Sequence, residues 1–218
     1  MSRAIAPDAP DLPSELAALV LDADSAADGE SWDQVELTGA ALSGIDARAL
    51  GFVEARLDAV DLSGASLTSL FLSDCRLERC NLANAKVRSG SMRRVTLAGA
   101  RLTGLEWTDG ELRHAAFHDC RADMASFEGS KLEQVRFEGC DLRDADFRRC
   151  RFESVAFHGC DLTGADIGNA RFERCEMERC TLDGLRGVDR LRGVSMPWGD
   201  ILAAAGTFAA ELGVRVLE

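Results

Sequence analysis

The sequence predicts an all-β solenoid, in which the backbone coils on itself along one long axis. From Trp32 to Leu182 every fifth residue is apolar, which makes 31 positions in one unbroken phase. An α-helix would repeat its apolar residues every 3.6 positions and a flat strand every two. A period of five fits neither, so the backbone is expected to turn a corner every five residues.

A second register supports this prediction. Two residues before each central position stands a small or apolar residue, as at Val35, Ala40 and Cys175. Each unit therefore reads small, polar, large, polar, polar, most clearly in the runs DLRDADF (141–147) and CDLTGADI (160–167). These units resemble those of the pentapeptide-repeat family, A(D/N)Lxx, over about 150 residues. The resemblance implies a right-handed quadrilateral β-helix with four pentapeptides in each coil.

Four pentapeptides make 20 residues, so residues 20 apart should stack. Two such columns are uniform in residue type, Cys120–Cys140–Cys160–Cys180 and Phe117–Phe137–Phe157. With coils about 4.8 Å apart, the repeats predict about eight coils in a rod roughly 37 Å long. The eight cysteines occupy the small inward register, which predicts reduced core thiols that act as small hydrophobic groups.

The chain divides into three segments. Residues 1–30 are expected to hold a disordered start (1–11), a short capping helix (Pro13 to about Leu21) and an acidic linker (22–30). Residues 31–185 form the repeat domain, and residues 186–218 a relaxed last coil, a capping helix and a dimerisation tail.

The C-terminal helix should begin at Pro197 with apolar residues on one face, and residues 214–217 are compatible with a strand. The tail resembles that of the gyrase-interacting pentapeptide proteins, where it joins two copies, and a cap alone is the other interpretation. The residues expected at a homodimer interface are Trp198, Ile201, Leu202, Phe208, Leu212, Val214 and Val216.

Charge and composition exclude some classes of protein. The chain has 37 acidic and 25 basic residues, a balance that argues against binding nucleic acid. Between residues 31 and 185 the counts are 26 and 20, so half of the net charge lies in residues 1–30. The start of the chain has no apolar signal region and no stretch long enough to span a membrane, which predicts a cytoplasmic protein.

Outward-facing residues supply the candidate sites. A late group of carboxylates and one exposed aromatic ring are candidate partner-binding residues: Asp141, Asp144, Asp146, Asp161, Asp166 and Phe71. The alternatives are that these Asp residues stabilise turns and that Phe71 packs at the edge of the rod.

One outward column contains His118, Glu138, His158 and Glu178. A metal site there is conceivable, but a ladder of alternating charge is the preferred interpretation. Trp107 should occupy space left by Gly90 and Gly110, with a local bulge.

No catalytic constellation, P-loop or cofactor motif is present, so the sequence predicts a protein that is not an enzyme and binds no cofactor or metal. Resemblance to the fluoroquinolone-resistance type of pentapeptide protein implies a DNA mimic that binds the type II topoisomerase DNA gyrase, modulating it or protecting it from inhibitors. This sequence lacks the loop insertions that several of those proteins carry. The alternative is a rigid cytoplasmic scaffold for another protein partner.

Overall fold

The chain forms a parallel β-solenoid of about nine turns. The computed structural model describes residues 4–23, 25–26 and 28–215. Residues 20 apart are direct ladder partners, for example Phe117 with Phe137 and Leu112 with Leu132. The predicted period of five and the stacking distance of 20 residues are thus both confirmed, and so is the β-helix.

Each coil has four faces, which we number by their central inward residues. Face 1 carries Phe52, Leu72 and Phe152 and their column neighbours; face 2 carries Leu57, Phe137 and Met177 and theirs. Face 3 has centres at positions 42, 62 and so on to 182, and face 4 at positions 47, 67 and so on to 167. Nearly all of these central side chains are buried.

The strands are short and all pair in parallel. Faces 1 and 2 share the larger sheet, whose strands among the described residues are β1 Ala17–Leu19, β2 Ser31–Asp33, β3 Val35–Thr38, β5 Gly51–Val53, β6 Arg56–Asp58, β8 Phe71–Glu78, β10 Ser91–Ala98, β12 Glu111–His118, β13 Lys131–Glu138, β14 Arg151–Glu153, β15 Ala156–His158, β16 Arg171–Glu173, β17 Cys175–Glu178 and β18 Val194–Ser195. Face 4 holds the smaller sheet of β4 Asp46–Arg48, β7 Ser66–Thr68, β9 Lys86–Arg88 and β11 Glu106–Thr108. Face 3 is joined by single bridges such as Asp141 to Asp161.

Every corner between residues 29 and 184 is made by one residue in the left-handed backbone region. This residue stands two positions after each central one, and 21 of these corner residues are not glycine, with φ between 49° and 60°. A non-glycine residue there costs roughly 1–2 kcal/mol. The corner N–H donates to a carbonyl in the next coil, as Ala49 does to Thr68 O at 2.8 Å. Stacking therefore fixes a backbone conformation that an isolated pentapeptide would avoid.

The core consists of columns of like side chains. The rings of Phe117, Phe137 and Phe157 stack with centroids 4.7 and 5.1 Å apart. The cysteines are free thiols, of which Cys180 is half-buried and the others are buried. Burial raises the pKa of Cys75 to about 12 and that of Cys80 to about 11, so these two thiols are inert core groups.

Trp107 fits the core because two residues of the small inward register beside it, Gly90 and Gly110, lack side chains. A Cβ atom at Gly110 would overlap Trp107 Nε1, and one at Gly90 would lie 2.7 Å from Trp107 Cζ2. The ladder between β9 and β11 keeps its register through Trp107. The bulge expected here is therefore absent, because glycine provides the space without an extra residue.

The N-terminal helix prediction was wrong. Ala17–Leu19 form strand β1, which pairs with Val35–Leu37 and adds a coil to the rod. Leu21 and Ala26 are buried in the same core. The apolar residues that suggested a helix face instead serve a strand and its following turn. Residues 4–16 lie against the rod, so the disordered start is also wrong over residues 4–11; residues 1–3 and Asp24 lie outside the described residues.

The C-terminal helix is present but divided. Helix α1 covers Trp198–Ala203 and α2 covers Ala205–Glu211, with a break at Ala204, and a 3-10 turn precedes them at Val188–Arg190. Ala204 is buried against the core. The possible strand beyond Gly213 is not formed at residues 214–215, and Val216 and Leu217 lie outside the described residues.

Side chains from the two helices close the end of the rod. The last coil has no successor to accept its backbone N–H groups. The N–H of Arg179 donates to Asp200 Oδ2 at 2.6 Å, that of Gly184 to Thr207 Oγ1 at 3.3 Å, and that of Gly187 to Glu211 Oε2 at 2.8 Å. The helices therefore cap the exposed backbone as well as the exposed core.

Candidate partner-binding surfaces

The predicted acidic residues come together on two neighbouring faces. We call Asp141, Asp144, Asp146, Asp161 and Asp166 the acidic surface. Asp141 pairs with Asp161 on face 3 and Asp146 with Asp166 on face 4, each across one coil. Asp144 lies at the exposed corner between them, with φ at 55°. The fold thus places these carboxylates side by side, as the 20-residue spacing predicts.

Four of the five carboxylates also hold turns. Each accepts a hydrogen bond from the backbone N–H two residues later: Asp141 from Arg143 at 3.2 Å, Asp146 from Arg148 at 2.9 Å, Asp161 from Thr163 at 3.0 Å and Asp166 from Gly168 at 2.8 Å. This is the turn geometry that aspartate favours. These residues therefore have a structural use that requires no partner.

Arginines neutralise part of the acidic surface. Arg143 donates from Nε and Nη2 to the two oxygens of Asp141 at 2.8 and 2.6 Å. Arg148 makes the same bidentate pair with Asp146 at 2.9 and 2.7 Å. The hydrogen bonds from Arg143 hold the pKa of Asp141 below its usual value. At Asp146 partial burial opposes the shift, but the bonds from Arg148 still lower its pKa. The surface is therefore a mosaic of both signs.

The magnitude of the net charge is modest. Residues 31–185 carry six more acidic than basic residues. Over a rod of roughly 37 Å this is about one net charge per 6 Å, given coils 4.8 Å apart. Duplex DNA carries about one charge per 1.7 Å. The rod has roughly a quarter of the linear charge density of DNA.

Phe71 points outward on face 1 and is 41% exposed. Its column neighbours are the small residues Gly51 and Ser91. The ring therefore stands above its surroundings as a single apolar group, away from the acidic surface on faces 3 and 4.

The residues expected at a dimer interface form two groups at the C-terminal end. Trp198, Leu202, Leu212 and Val214 are exposed, Trp198 by 71%. Ile201 and Phe208 are half-buried and line a groove of about 310 Å³ together with Leu191, Val194, Met196 and Leu212. We call the exposed residues and the groove residues together the C-terminal apolar surface. Val216 lies outside the described residues.

Sequence reasoning missed the contacts of the N-terminal segment. Asp8 reaches His114 and Asp11 reaches Asp74, more than 60 residues away. One signal was available, because Pro7, Pro10 and Pro13 recur every third residue, the period of polyproline II.

The outward histidines form pairs and not a larger cluster. His118 Nδ1 lies 3.4 Å from Glu138 Oε2, and His158 Nε2 lies 2.9 Å from Glu176 Oε1. Over residues 4–23, 25–26 and 28–215 no group of three or more His, Cys, Asp or Glu side chains is placed to hold a metal ion. Within the same ranges no helix is both long and apolar enough to cross a membrane.

Fold and surfaces together define a solenoid whose large apolar side chains are mostly internal and whose outer faces carry ordered polar side chains. The sequence profile of the pentapeptide repeat region matches residues 70–147, 90–167 and 127–186, which together span more than half of the chain. The chain belongs to the pentapeptide repeat family. No curated protein matches the sequence.

Three solved structures illustrate the similarity. HetL, involved in heterocyst differentiation regulation in the cyanobacterium Nostoc sp. strain PCC 7120, is 20% identical, with a TM-score of 0.36 over 79% of this chain and 91% of its own. QnrB1, a plasmid-mediated fluoroquinolone resistance protein, is 18% identical, with a TM-score of 0.32 over 94% and 100%. A pentapeptide repeat protein from the Arabidopsis thaliana thylakoid lumen is 22% identical, with a TM-score of 0.29 over 50% and 73%.

Proposed function

We propose that this protein is a non-enzymatic rod that binds a protein partner through its outer faces. The observation that carries the proposal is the fixed arrangement of charged side chains, which the ladder holds one coil apart in each column. Carboxylates such as Asp141 and Asp146 are further held by backbone and arginine hydrogen bonds. A preorganised surface loses little entropy on binding. The free core thiols suit a reducing compartment such as the cytoplasm.

Cross-linking mass spectrometry in cells that express the full-length protein tests this proposal. With a carboxylate-reactive reagent, we expect one protein to cross-link reproducibly to acidic residues on a single face of the rod, and the purified pair to bind in solution. If no protein cross-links reproducibly, or if no purified candidate binds the wild type, the scaffold function is wrong.

A second candidate is a DNA mimic that binds DNA gyrase. Three observations favour it: a rod without inserted loops, stacked Asp pairs on faces 3 and 4, and an apolar surface suited to joining two copies. The low linear charge density and the bidentate arginine pairs count against it. Because the acidic surface carries charges of both signs, we rank the general scaffold above the DNA mimic.

The test is a supercoiling assay with purified gyrase, titrated with this protein in the presence and absence of a fluoroquinolone. The matched control replaces all five residues of the acidic surface with Asn, which keeps an oxygen acceptor for the turns and removes the charge. Mimicry predicts that micromolar wild-type protein changes supercoiling or drug inhibition and that the Asn variant does not. An unchanged assay with the wild type rejects gyrase as the partner.

A further inference from the structure

The N-terminal segment, residues 4–16, lies along the rod with a period of three. Ala4, Pro7, Pro10, Pro13 and Leu16 are half-buried, while most residues between them are exposed. Proline fixes φ near −65° and disfavours the helical conformation of the residue before it. An extended chain that buries every third residue has the symmetry of a polyproline II helix.

Its contacts follow a single corner of the rod. The N–H of Asp8 donates to His114 Nδ1 at 3.2 Å, and the N–H of Asp11 donates to Asp74 Oδ1 at 3.2 Å. At the base of the segment, the N–H of Ala17 donates to the carbonyl of Gln34 at 2.9 Å. Residues 34, 54, 74, 94 and 114 are the successive corner residues between faces 1 and 2. We call this corner the strap groove.

The segment and the groove have matching repeats. Moving from Asp11 to Asp8 advances the segment by three residues, which is about 9.3 Å in polyproline II. The corresponding groove residues, Asp74 and His114, are two coils apart, which is about 9.6 Å. Between Asp11 and Asp8, one turn of the segment therefore spans two coils of the corner.

The groove is also matched in charge. Arg94 lies between the two contacts and donates to both oxygens of Asp74 at 2.5 Å. Hydrogen bonding to Asp74 raises the pKa of Arg94, and the carboxylates of Asp11 and Asp8 add to this. Asp74 is 4% exposed although it faces outward.

We propose that the strap groove is a binding site for a polyproline II segment of a partner protein. This segment is acidic and proline-rich, with proline at every third residue followed by Asp or Glu. The N-terminal segment has this chemistry itself, in the run PDAPDLP (7–13), and is the intramolecular occupant. It joins the rod at Ala17 and makes no strand ladder over residues 4–16. A partner segment of the same pattern therefore binds by replacing it.

The test uses the full-length protein with Pro7→Gly, Pro10→Gly and Pro13→Gly, which loosens the segment without touching the rod. Circular dichroism and the urea midpoint confirm that the rod is intact. The probe is a fluorescein-labelled peptide with the sequence of residues 4–16, AIAPDAPDLPSEL, followed by fluorescence anisotropy. Because a tethered competitor acts at an effective concentration near millimolar, we expect the variant to bind the peptide at least about tenfold more tightly than the wild type.

Two control peptides test the recognition itself. One has the same composition with prolines at every fourth residue, and the other replaces both Asp residues with Asn. Each should bind the variant at least about tenfold more weakly, because the first loses the repeat match and the second loses the charge attraction between its carboxylates and Arg94. No binding of the parent peptide to the variant at 1 mM, or equal binding of the first control, overturns the proposal.

Discussion

The corner residues show how stacking overrides local preference. Of the 32 corner positions, 21 hold a residue other than glycine in the left-handed region. Such residues are tolerated because the coils on either side fix the backbone. Strain of this kind is relieved by glycine at the same position.

We predict that Ala59→Gly leaves the rod equally stable or stabilises it by about 0.5 kcal/mol, because Ala59 has φ of 52° and glycine removes the steric cost while adding unfolded-state entropy. The matched control, Ala98→Gly at the end of strand β10, should lose about 1 kcal/mol. Urea denaturation midpoints compare the two. Equal losses would show that Ala59 is not strained.

The contact between Trp107 and Gly110 gives a second prediction at this scale. Gly110→Ala should destabilise the protein by more than about 3 kcal/mol, because the new Cβ overlaps the indole. In a Trp107→Leu background the same change should cost at least about 2 kcal/mol less, a coupling within the range seen for contacting residues. Urea unfolding of the wild type, the two single variants and the double variant measures this coupling. Additive losses of stability would contradict the contact between Trp107 and Gly110.

The sequence predicted the inward residues well and the corners poorly. Apolar residues at every fifth position identify the central register directly, because burial selects residue type. The corner conformation places no such demand on polarity or size, so Arg79, Met124 and Glu54 occupy it as well as Gly39. The available signal was weak: 11 of the 20 glycines fall in this one register of five.

At the scale of elements, the two ends of the rod differ in how far they were predictable. The C-terminal helix followed from its apolar spacing, although not its break at Ala204. The N-terminal stretch that reads as a helix forms strand β1 because the first coil offers an open ladder edge to pair with. Tertiary pairing here outweighs the local pattern, as it often does for short segments.

The cap supplies a test of the C-terminal element. Asp200→Ala should lower the free energy of unfolding by about 1–2 kcal/mol, because the N–H of Arg179 loses its acceptor at the end of the ladder. Asp189→Ala is the matched control, since Asp189 makes an exposed ion pair with Arg190 and should change stability by less than about 0.5 kcal/mol. Chemical denaturation compares the two variants. An equal effect would show that Asp200 does not contribute to the cap.

For the whole molecule, the C-terminal apolar surface predicts assembly into a homodimer. More apolar side chains are exposed there than closing the rod requires, including Trp198, Leu202 and Leu212. Light scattering should give the mass of two chains for the wild type and of one chain for the double variant Leu202→Glu, Leu212→Glu. Met124→Glu, at an equally exposed apolar residue on the side of the rod, should remain dimeric. A wild type that is monomeric at 100 µM would show that this surface only caps the rod.

The positions of the candidate partner surfaces were predictable from the sequence, but the pairing of their charges was not. The 20-residue spacing alone placed Asp141 over Asp161, since column membership is a matter of counting. The neutralising bonds from Arg143 and Arg148 depend on side-chain rotamers, which the repeat does not encode. The strap groove was hidden because its occupant, residues 4–16, lies outside the repeat and far in sequence from Asp74 and His114.

The central claim is that residues 20 apart stack in dry columns around a backbone that turns every five residues. An X-ray crystal structure of the full-length protein measures this directly. The account predicts that the rings of Phe117, Phe137 and Phe157 lie parallel, with neighbouring centroids near the 4.7 and 5.1 Å found here. A structure in which the Phe137 ring contacts solvent, or lies more than about 7 Å from both of these neighbours and so beyond aromatic contact, would contradict it.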